Sequence, residues 1–345
     1  MPDAGSVRYG VSVGRSRSPT RTTRSPNRRN PVPPISVAVL PASRPEIDAA
    51  IQAAGGVTEP VGSQTRAIVI SGAAGAQGLV AVLAEHPDIH LVQLPSAGVE
   101  AYNDMMTEAA REGLTFTSAK GAYAEPVAEH ALALTLALLR SLPERARNTS
   151  WDTDPKGISL HRLNVTVIGA GGIALEFIRL LAPFDTKVTV VRRKADPVEG
   201  AHRTITTDEL LEVLPDTDVI MVAAALTGGT RQLFGAAEFA AMKNSAVLVN
   251  IARGGLNDTD ALVEALREGA IGGAGLDVTD PEPLPDGHAL WSEPRAIITP
   301  HNADTPDMVA PLFAERIRAN IAAAAHADAG GTGDFVGVVD VEAGY

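Results

Sequence analysis

Three side chains in the second half of the chain could together handle a carboxylate and a proton: Arg253, Glu282 and His301. Arg253 follows the apolar run Val247-Leu-Val-Asn-Ile-Ala252, Glu282 stands in Thr279-Asp-Pro-Glu-Pro-Leu284, and His301 follows Ile297-Ile-Thr-Pro300. Arginine's planar fork binds a carboxylate bidentately and polarises the adjacent carbonyl. A histidine can give or take the proton when a carbonyl becomes an alcohol, and a nearby carboxylate orients the ring and favours imidazolium. Alone, each has an ordinary account: a surface charge, a loop acid, a packing histidine. Together, at the mouths of successive strands, they describe hydride transfer to a 2-oxo acid, with a nicotinamide doing the redox work.

The element that must position such a cofactor is Val165-Thr-Val-Ile-Gly-Ala-Gly-Gly-Ile-Ala174. Four β-favouring residues run into glycines, and Leu175-Glu-Phe-Ile-Arg-Leu-Leu181 continues with helical spacing. A strand that ends in glycines and opens a helix lets the backbone approach a phosphate and offers it unpaired N–H groups. Gly169 and Gly171 fill the first two places of the dinucleotide fingerprint, Gly172 and Ile173 open the helix, and Ala174 stands where a third glycine is common. After the next strand, Val188-Thr-Val-Val-Arg-Arg193 places Arg192 and Arg193 where NAD-preferring proteins carry an acid for the ribose 2′-hydroxyl. Two arginines there favour a 2′-phosphate, hence NADP(H), with NAD(H) as the other option.

The 345 residues suit two domains rather than one core. No apolar run reaches membrane-spanning length. Zero cysteines exclude a disulfide framework and thiolate metal sites and fit a cytoplasmic setting. No histidine pair has metal-ligand spacing, so no metal is expected. The net charge of -12 is uneven: residues 1–34 hold seven arginines and one acid, leaving about -18 on the remainder. An acidic body disfavours nucleic acid as the main partner. Residues 1–34, rich in Ser, Thr, Pro and Arg, read as a disordered basic tail: a solvated arm, an anion-binding arm or a transit segment.

From Ile35 the pattern alternates. Strands are predicted at Ile35–Leu40, Ala67–Ile70, Ile89–Leu94 and Leu114–Thr117, with helical stretches between. One long helix is predicted from Pro126 to about Arg147, crossing to a second set of strands at Val165–Ile168, Lys187–Val191, Val219–Val222, Ala246–Ile251, Gly273–Val278 and Ala296–Ile298. A helix over Asp307–Ala325 returns to the first domain, and the tail after Asp328 holds one short strand. The class is α/β, two doubly wound parallel sheets. The expected division is 35–138 for the first part of the substrate domain, 139–303 for the nucleotide domain, and 304–345 for the returning part.

Asn250-Ile-Ala-Arg-Gly-Gly255, Gly275-Leu-Asp-Val-Thr-Asp-Pro-Glu-Pro-Leu-Pro285 and Thr299-Pro-His-Asn302 resemble the signature blocks of the D-isomer-specific 2-hydroxyacid dehydrogenases. Val127-Ala-Glu-His-Ala131 and the glycine turn also fit. The resemblance, from about Ile35 to the end of the chain, implies a Rossmann domain inserted into a flavodoxin-like substrate domain, and a homodimer. It implies that Arg253 binds substrate, that Glu282 pairs with His301 and that His301 is the acid/base. It also implies that Asp277 holds the nicotinamide carboxamide, that Ala224 and Ala252 lie beside the cofactor, and that the backbone of Ala97, Gly98 and Val99 receives the substrate carboxylate. The stretches Val69-Ile-Ser-Gly72 and Gln93-Leu-Pro-Ser-Ala-Gly98 carry no cation for a phosphate, which sets a phosphoglycerate-type enzyme behind a reductase of small acids such as glyoxylate or hydroxypyruvate. A nucleotide-sensing, corepressor-like binding protein is the alternative from another class.

Overall fold

Five short runs pair in parallel in the first sheet: Ile35–Leu40 (β1), Gly56–Thr58 (β2), Thr65–Ile70 (β3), Leu91–Gln93 (β4) and Thr115–Thr117 (β5). The computed structural model describes residues 34 to 342; the reading of the arginine-rich segment lies outside the described residues. The sheet order is β2-β1-β3-β4-β5, that of a flavodoxin-like layer. Central strands β1 and β3 are almost wholly apolar and buried, as strands covered on both faces must be. Helices Pro45–Ala53 (α1), Leu79–Glu85 (α2) and Asn103–Ala109 (α3) accompany this sheet.

Seven strands form the second sheet: Asn164–Ile168 (β6), Lys187–Val191 (β7), Arg203–Ile205 (β8), Val219–Val222 (β9), Val247–Asn250 (β10), Gly273–Leu276 (β11) and Ala296–Ile298 (β12). They run parallel in the order β12-β11-β10-β9-β6-β7-β8. Counted from β6, this is the doubly wound 3-2-1-4-5-6 order with one further strand. The chain turns from β6 to β7 on one side and returns to β9 on the other, which opens a crevice beyond the carboxyl end of β6.

Between the sheets run Ala124–Leu139 (α4) and Leu142–Arg147 (α5); Gly172–Leu181 (α6) follows β6. Val127, Ala128, Ala131, Leu134 and Leu138 of α4 pack with Phe177 of α6 and Val165 and Val167 of β6 in one core cluster. Each buried Leu or Phe of that kind contributes about 1.5–3 kcal/mol of transfer free energy. Short helices Leu210–Val213 (α7), Ala236–Ala241 (α8), Thr259–Glu268 (α9) and Ala289–Ser292 (α10) complete the second layer, and Pro306–Asp328 (α11) follows β12. α11 buries Phe313, Ile317, Ile321 and Ala324 against Ile35, Val37 and Val69 of the first sheet.

Three local expectations are corrected. The long helix predicted to Arg147 is two helices, α4 and α5. Ser141 takes φ of 52° and Pro143 opens α5, so the helical ladder cannot continue. Strands β2 and β8 escaped prediction because they are three-residue edges without an apolar run. Among the described residues the tail forms no strand of its own; Val338 makes an isolated antiparallel bridge to Thr117.

Candidate active site

Gly169 ends β6 with φ of 106°, a conformation glycine adopts without penalty. A β-carbon there would lie 2.8 Å from the carbonyl oxygen of Ala223 and 3.0 Å from the amide nitrogen of Ala224. The turn therefore passes against the chain leaving β9, and places Ala224 beside it. Gly171 faces open space and begins α6 with no side chain capping it. The first N–H groups of this ten-residue helix are left for an anion. Ile173, in the first turn, is half-buried against the core that holds Ala174 fully buried, so the extra methyl of Ala174 is accommodated. These features fit a dinucleotide pyrophosphate.

Arg192 follows β7 directly, its N–H bonded to the carbonyl of Ile205 at 3.0 Å, and it is half-buried where Arg193 is exposed. A cleft of about 1160 Å³ is lined by Ala170, Gly172 and Arg192, and reaches Leu312, Glu315 and Arg316 of α11. It takes in Ala170 and Gly172 of the turn, the Leu175–Leu181 side of α6 and Arg192, while Gly169, Gly171, Arg253, Glu282 and His301 stand outside its lining.

The three reactive residues follow neighbouring strands, Arg253 after β10, Glu282 after β11 and His301 after β12. Nδ1 of His301 and Oε1 of Glu282 are 2.6 Å apart, with both side chains about half exposed. His301 has φ of 50°, rare for a residue with a β-carbon. Its N–H is held by the carbonyls of Asp277 (2.7 Å) and Thr299 (2.9 Å), so tertiary bonds over-determine the conformation.

Asp277 explains how. It is buried, and its Oδ1 accepts from the Thr299 hydroxyl at 2.6 Å and the Asn302 N–H at 2.9 Å. Its Oδ2 accepts from the Ala303 N–H at 3.1 Å. In this structure the carboxylate grips the His301 loop. Thr299 Oγ1 also lies 2.9 Å from Nε2 of His130 on α4, so that histidine braces the loop as well. Of the other histidines, His288 accepts the N–H of Leu290 at the start of α10, and His161 packs on Phe184.

Arg253 is positioned by buried Asn250. The Asn250 amide donates to the carbonyl of Arg253 (3.0 Å), and its oxygen accepts the N–H of Ala252 (3.0 Å). This staple makes the turn after β10 and keeps Ala252 buried. The guanidinium donates from Nε and Nη2 to the Glu100 carboxylate at 3.0–3.2 Å, and from Nη1 to the Ala252 carbonyl at 2.7 Å. It also packs on Gly98, where any β-carbon would strike Nη2. The loop Ala97-Gly98-Val99 after β4 thus meets Arg253 directly, with Val99 buried in the first domain's core.

The site is rich in carboxylates. Burial alone would raise the pKa of Glu100. Hydrogen bonds from its own backbone and from Arg253, with the charges of Arg253 and His301, outweigh that and hold it below the usual range. Asp304 is pushed up, first by burial and then by the charge of Asp277, against a smaller opposing pull from His301. Tyr123 is pushed up by burial and by Asp304, and its hydroxyl donates to the Pro95 carbonyl.

Residues 132–303 match the family described as D-isomer specific 2-hydroxyacid dehydrogenase, NAD binding domain. The glyoxylate reductase/hydroxypyruvate reductase of Homo sapiens is 32% identical over 246 residues, 67% of this chain and 75% of that protein. The chain belongs to the D-isomer specific 2-hydroxyacid dehydrogenases. It is an NAD(P)-binding oxidoreductase acting on CH–OH groups, built as two parallel-sheet α/β layers. Among solved dehydrogenases of this family, one from Xanthobacter autotrophicus Py2, in complex with NADPH and MES, superposes with a TM-score of 0.73. It is 26% identical and covers 90% of this chain and 99% of its own. An NADPH-dependent glyoxylate/hydroxypyruvate reductase from Sinorhizobium meliloti, in complex with NADP and sulfate, gives 0.71 at 25% identity, covering 91% and 100%. The described residues contain no helix long and apolar enough to cross a membrane.

Five residues that bear on the site went unassigned in the sequence reading: Glu100, Asn250, Thr299, Asp304 and the bracing role of His130. Asn250 and Thr299 lie inside the signature blocks and carried a signal. Glu100 and Asp304 carried none.

Proposed function

We propose that this dehydrogenase works chiefly as an NADPH-dependent reductase of small 2-oxo acids of the glyoxylate and hydroxypyruvate kind. The observation that carries the reading is the His301–Glu282 pair, 2.6 Å apart, after β12 and β11, with Arg253 following β10, the next strand in the sheet. The human and Sinorhizobium relatives support the acid class by their own activities. Arg192 beside the uncapped start of α6, and the NADPH and NADP complexes of the two solved relatives, support the phosphate-bearing cofactor.

In this reading Gly169, Gly171, Gly172 and Ile173 receive the pyrophosphate, and Arg192 with Arg193 receives the 2′-phosphate. Ala224 and Ala252 border the nicotinamide side. When bound, the cofactor supplies the hydride. Arg253 and the backbone of Ala97, Gly98 and Val99 bind the substrate carboxylate, and the guanidinium polarises the 2-oxo group. His301 gives its Nε2 proton to the developing alkoxide, while Glu282, paired at Nδ1, orients the ring. Asp277 contributes by pinning the His301 loop. Asp277 would also hold the nicotinamide carboxamide when the cofactor is bound.

The test is an activity matrix of NADPH and NADH against glyoxylate, hydroxypyruvate, pyruvate and 3-phosphohydroxypyruvate. Faster turnover of the first two acids with NADPH is expected. No oxidation of either cofactor would refute the reductase, and a preference for NADH would refute the arginine assignment. We further infer a cytoplasmic homodimer with domain junctions near residues 138 and 303, supported by the family resemblance.

A further inference from the structure

The edge of Arg253 that would fork a substrate is already filled. Nε donates to Oε1 of Glu100 at 3.2 Å, and Nη2 to Oε1 and Oε2 at 3.0 and 3.2 Å. This is the bidentate geometry of an arginine–carboxylate fork, supplied from within the chain. Nη1 is turned away to the Ala252 carbonyl, and Gly98 presses on the same guanidinium. A 2-oxo acid cannot take that edge while Glu100 holds it.

Glu100 is placed to yield. Its neighbours are anchored, Val99 at 3% and Tyr102 at 8% exposure, whereas its own side chain is 60% exposed. The side chain can swing off Arg253, but the backbone keeps the carboxylate beside the site. His301 lies within its field, as does Arg253.

We propose that Glu100 is a specificity-determining residue: its carboxylate substitutes for the substrate's on Arg253, is displaced by the incoming acid, and then repels any second anionic group. The proposal rests on the reductase reading for the identity of the acids. The displaced carboxylate raises the KM of every substrate by the worth of an exposed ion pair. For an acid with two charges the cost is larger, because the second anion meets a carboxylate held close to Arg253. No cation lies in the nearby stretches Val69–Gly72 and Gln93–Gly98 to offset it.

The experiment compares wild type with Glu100→Gln and Glu100→Asp, using glyoxylate as the singly charged probe and oxaloacetate as the doubly charged one. Oxamate binding to the NADPH-loaded protein is followed by calorimetry in parallel. In Glu100→Gln, KM for glyoxylate falls roughly three- to fivefold, with the change on KM exceeding that on kcat. KM for oxaloacetate falls further, so the discrimination between the acids narrows by about tenfold, and oxamate binds more tightly. Glu100→Asp, which keeps the charge, retains the discrimination. Unchanged or raised KM for both acids, or equal falls for both, would overturn the proposal. If wild type reduces neither acid, the reductase reading fails by itself. Oxamate then decides: tighter binding in Glu100→Gln still supports displacement from Arg253, and unchanged binding refutes it.

Discussion

In the proposed mechanism His301 and Arg253 do separable jobs, and substitutions should separate them. Loss of the imidazole removes the proton donor, so His301→Ala should lower kcat by about 10²- to 10⁴-fold with a small change in KM. Loss of the guanidinium removes charge-assisted bonds to the carboxylate. Arg253→Ala should raise KM by roughly 10- to 100-fold and lower kcat as well. Steady-state kinetics on glyoxylate check both, and equal losses in the two variants would refute the division. Asp304 makes a pH prediction. Its pKa is raised by burial and by Asp277, so the folded state holds its proton more tightly than the unfolded chain does. Its favourable contribution is present below the ordinary carboxylate pKa and is lost as pH rises through the raised folded value. Asp304→Asn should therefore raise the melting temperature at neutral pH, and the gain should vanish in acid. A melting series over pH 3 to 8 tests the sign.

The elements that hold these residues are strand ends whose turns are stapled from outside. Gly169 must pass Ala223 in a left-handed conformation, so Gly169→Ala strains the backbone and drives a methyl into a carbonyl. A loss of about 1–3 kcal/mol is expected, together with weakened NADPH binding, by chemical denaturation and fluorescence titration. The loop after β12 depends on Thr299, which bonds Asp277 and contacts His130. Thr299→Val leaves both partners short of a contact at a cost of about 1–3 kcal/mol. Because the loop carries His301, kcat should fall even though Thr299 touches no reacting group. A folded variant with unaltered kcat would count against the bracing role.

Across the whole molecule, the proposed mechanism assigns cofactor choice and acid choice to separate groups of residues. Arg192 lines the long cleft with Ala170 and Gly172, whereas Arg253 meets Glu100 from the other sheet. Arg192→Glu should turn the preference from NADPH towards NADH by about tenfold or more in kcat/KM, since one charge is removed and an opposing one added. KM for glyoxylate should move little. A coupled change in both would mean that the two groups are not independent. Gel filtration over a range of concentrations should give the mass of two chains, and a constant single-chain mass would refute the dimer.

The α/β class, most strand positions, the glycine turn after β6 and the candidate residues Arg253, Glu282 and His301 were legible in the sequence by itself. Each is written within a few neighbouring residues: a β-favouring run, a glycine where the backbone must turn, a reactive side chain just past a strand end. Edge strands β2 and β8 were too short and polar to show a run, and the break at Ser141 was hidden in a stretch that is helical on both sides. Only the tertiary structure decided which distant groups meet. Glu100 and Arg253 are 153 residues apart and His130 and Thr299 169 apart, and each pair is joined only when the folded layers bring separate loops and helices together. Asp277 shows both sides: its place at a strand end was legible, but its partners are backbone N–H groups of a loop that exists only once folded. A carboxylate's chemistry is set by what surrounds it, and for Glu100, Asp277 and Asp304 those surroundings are non-local.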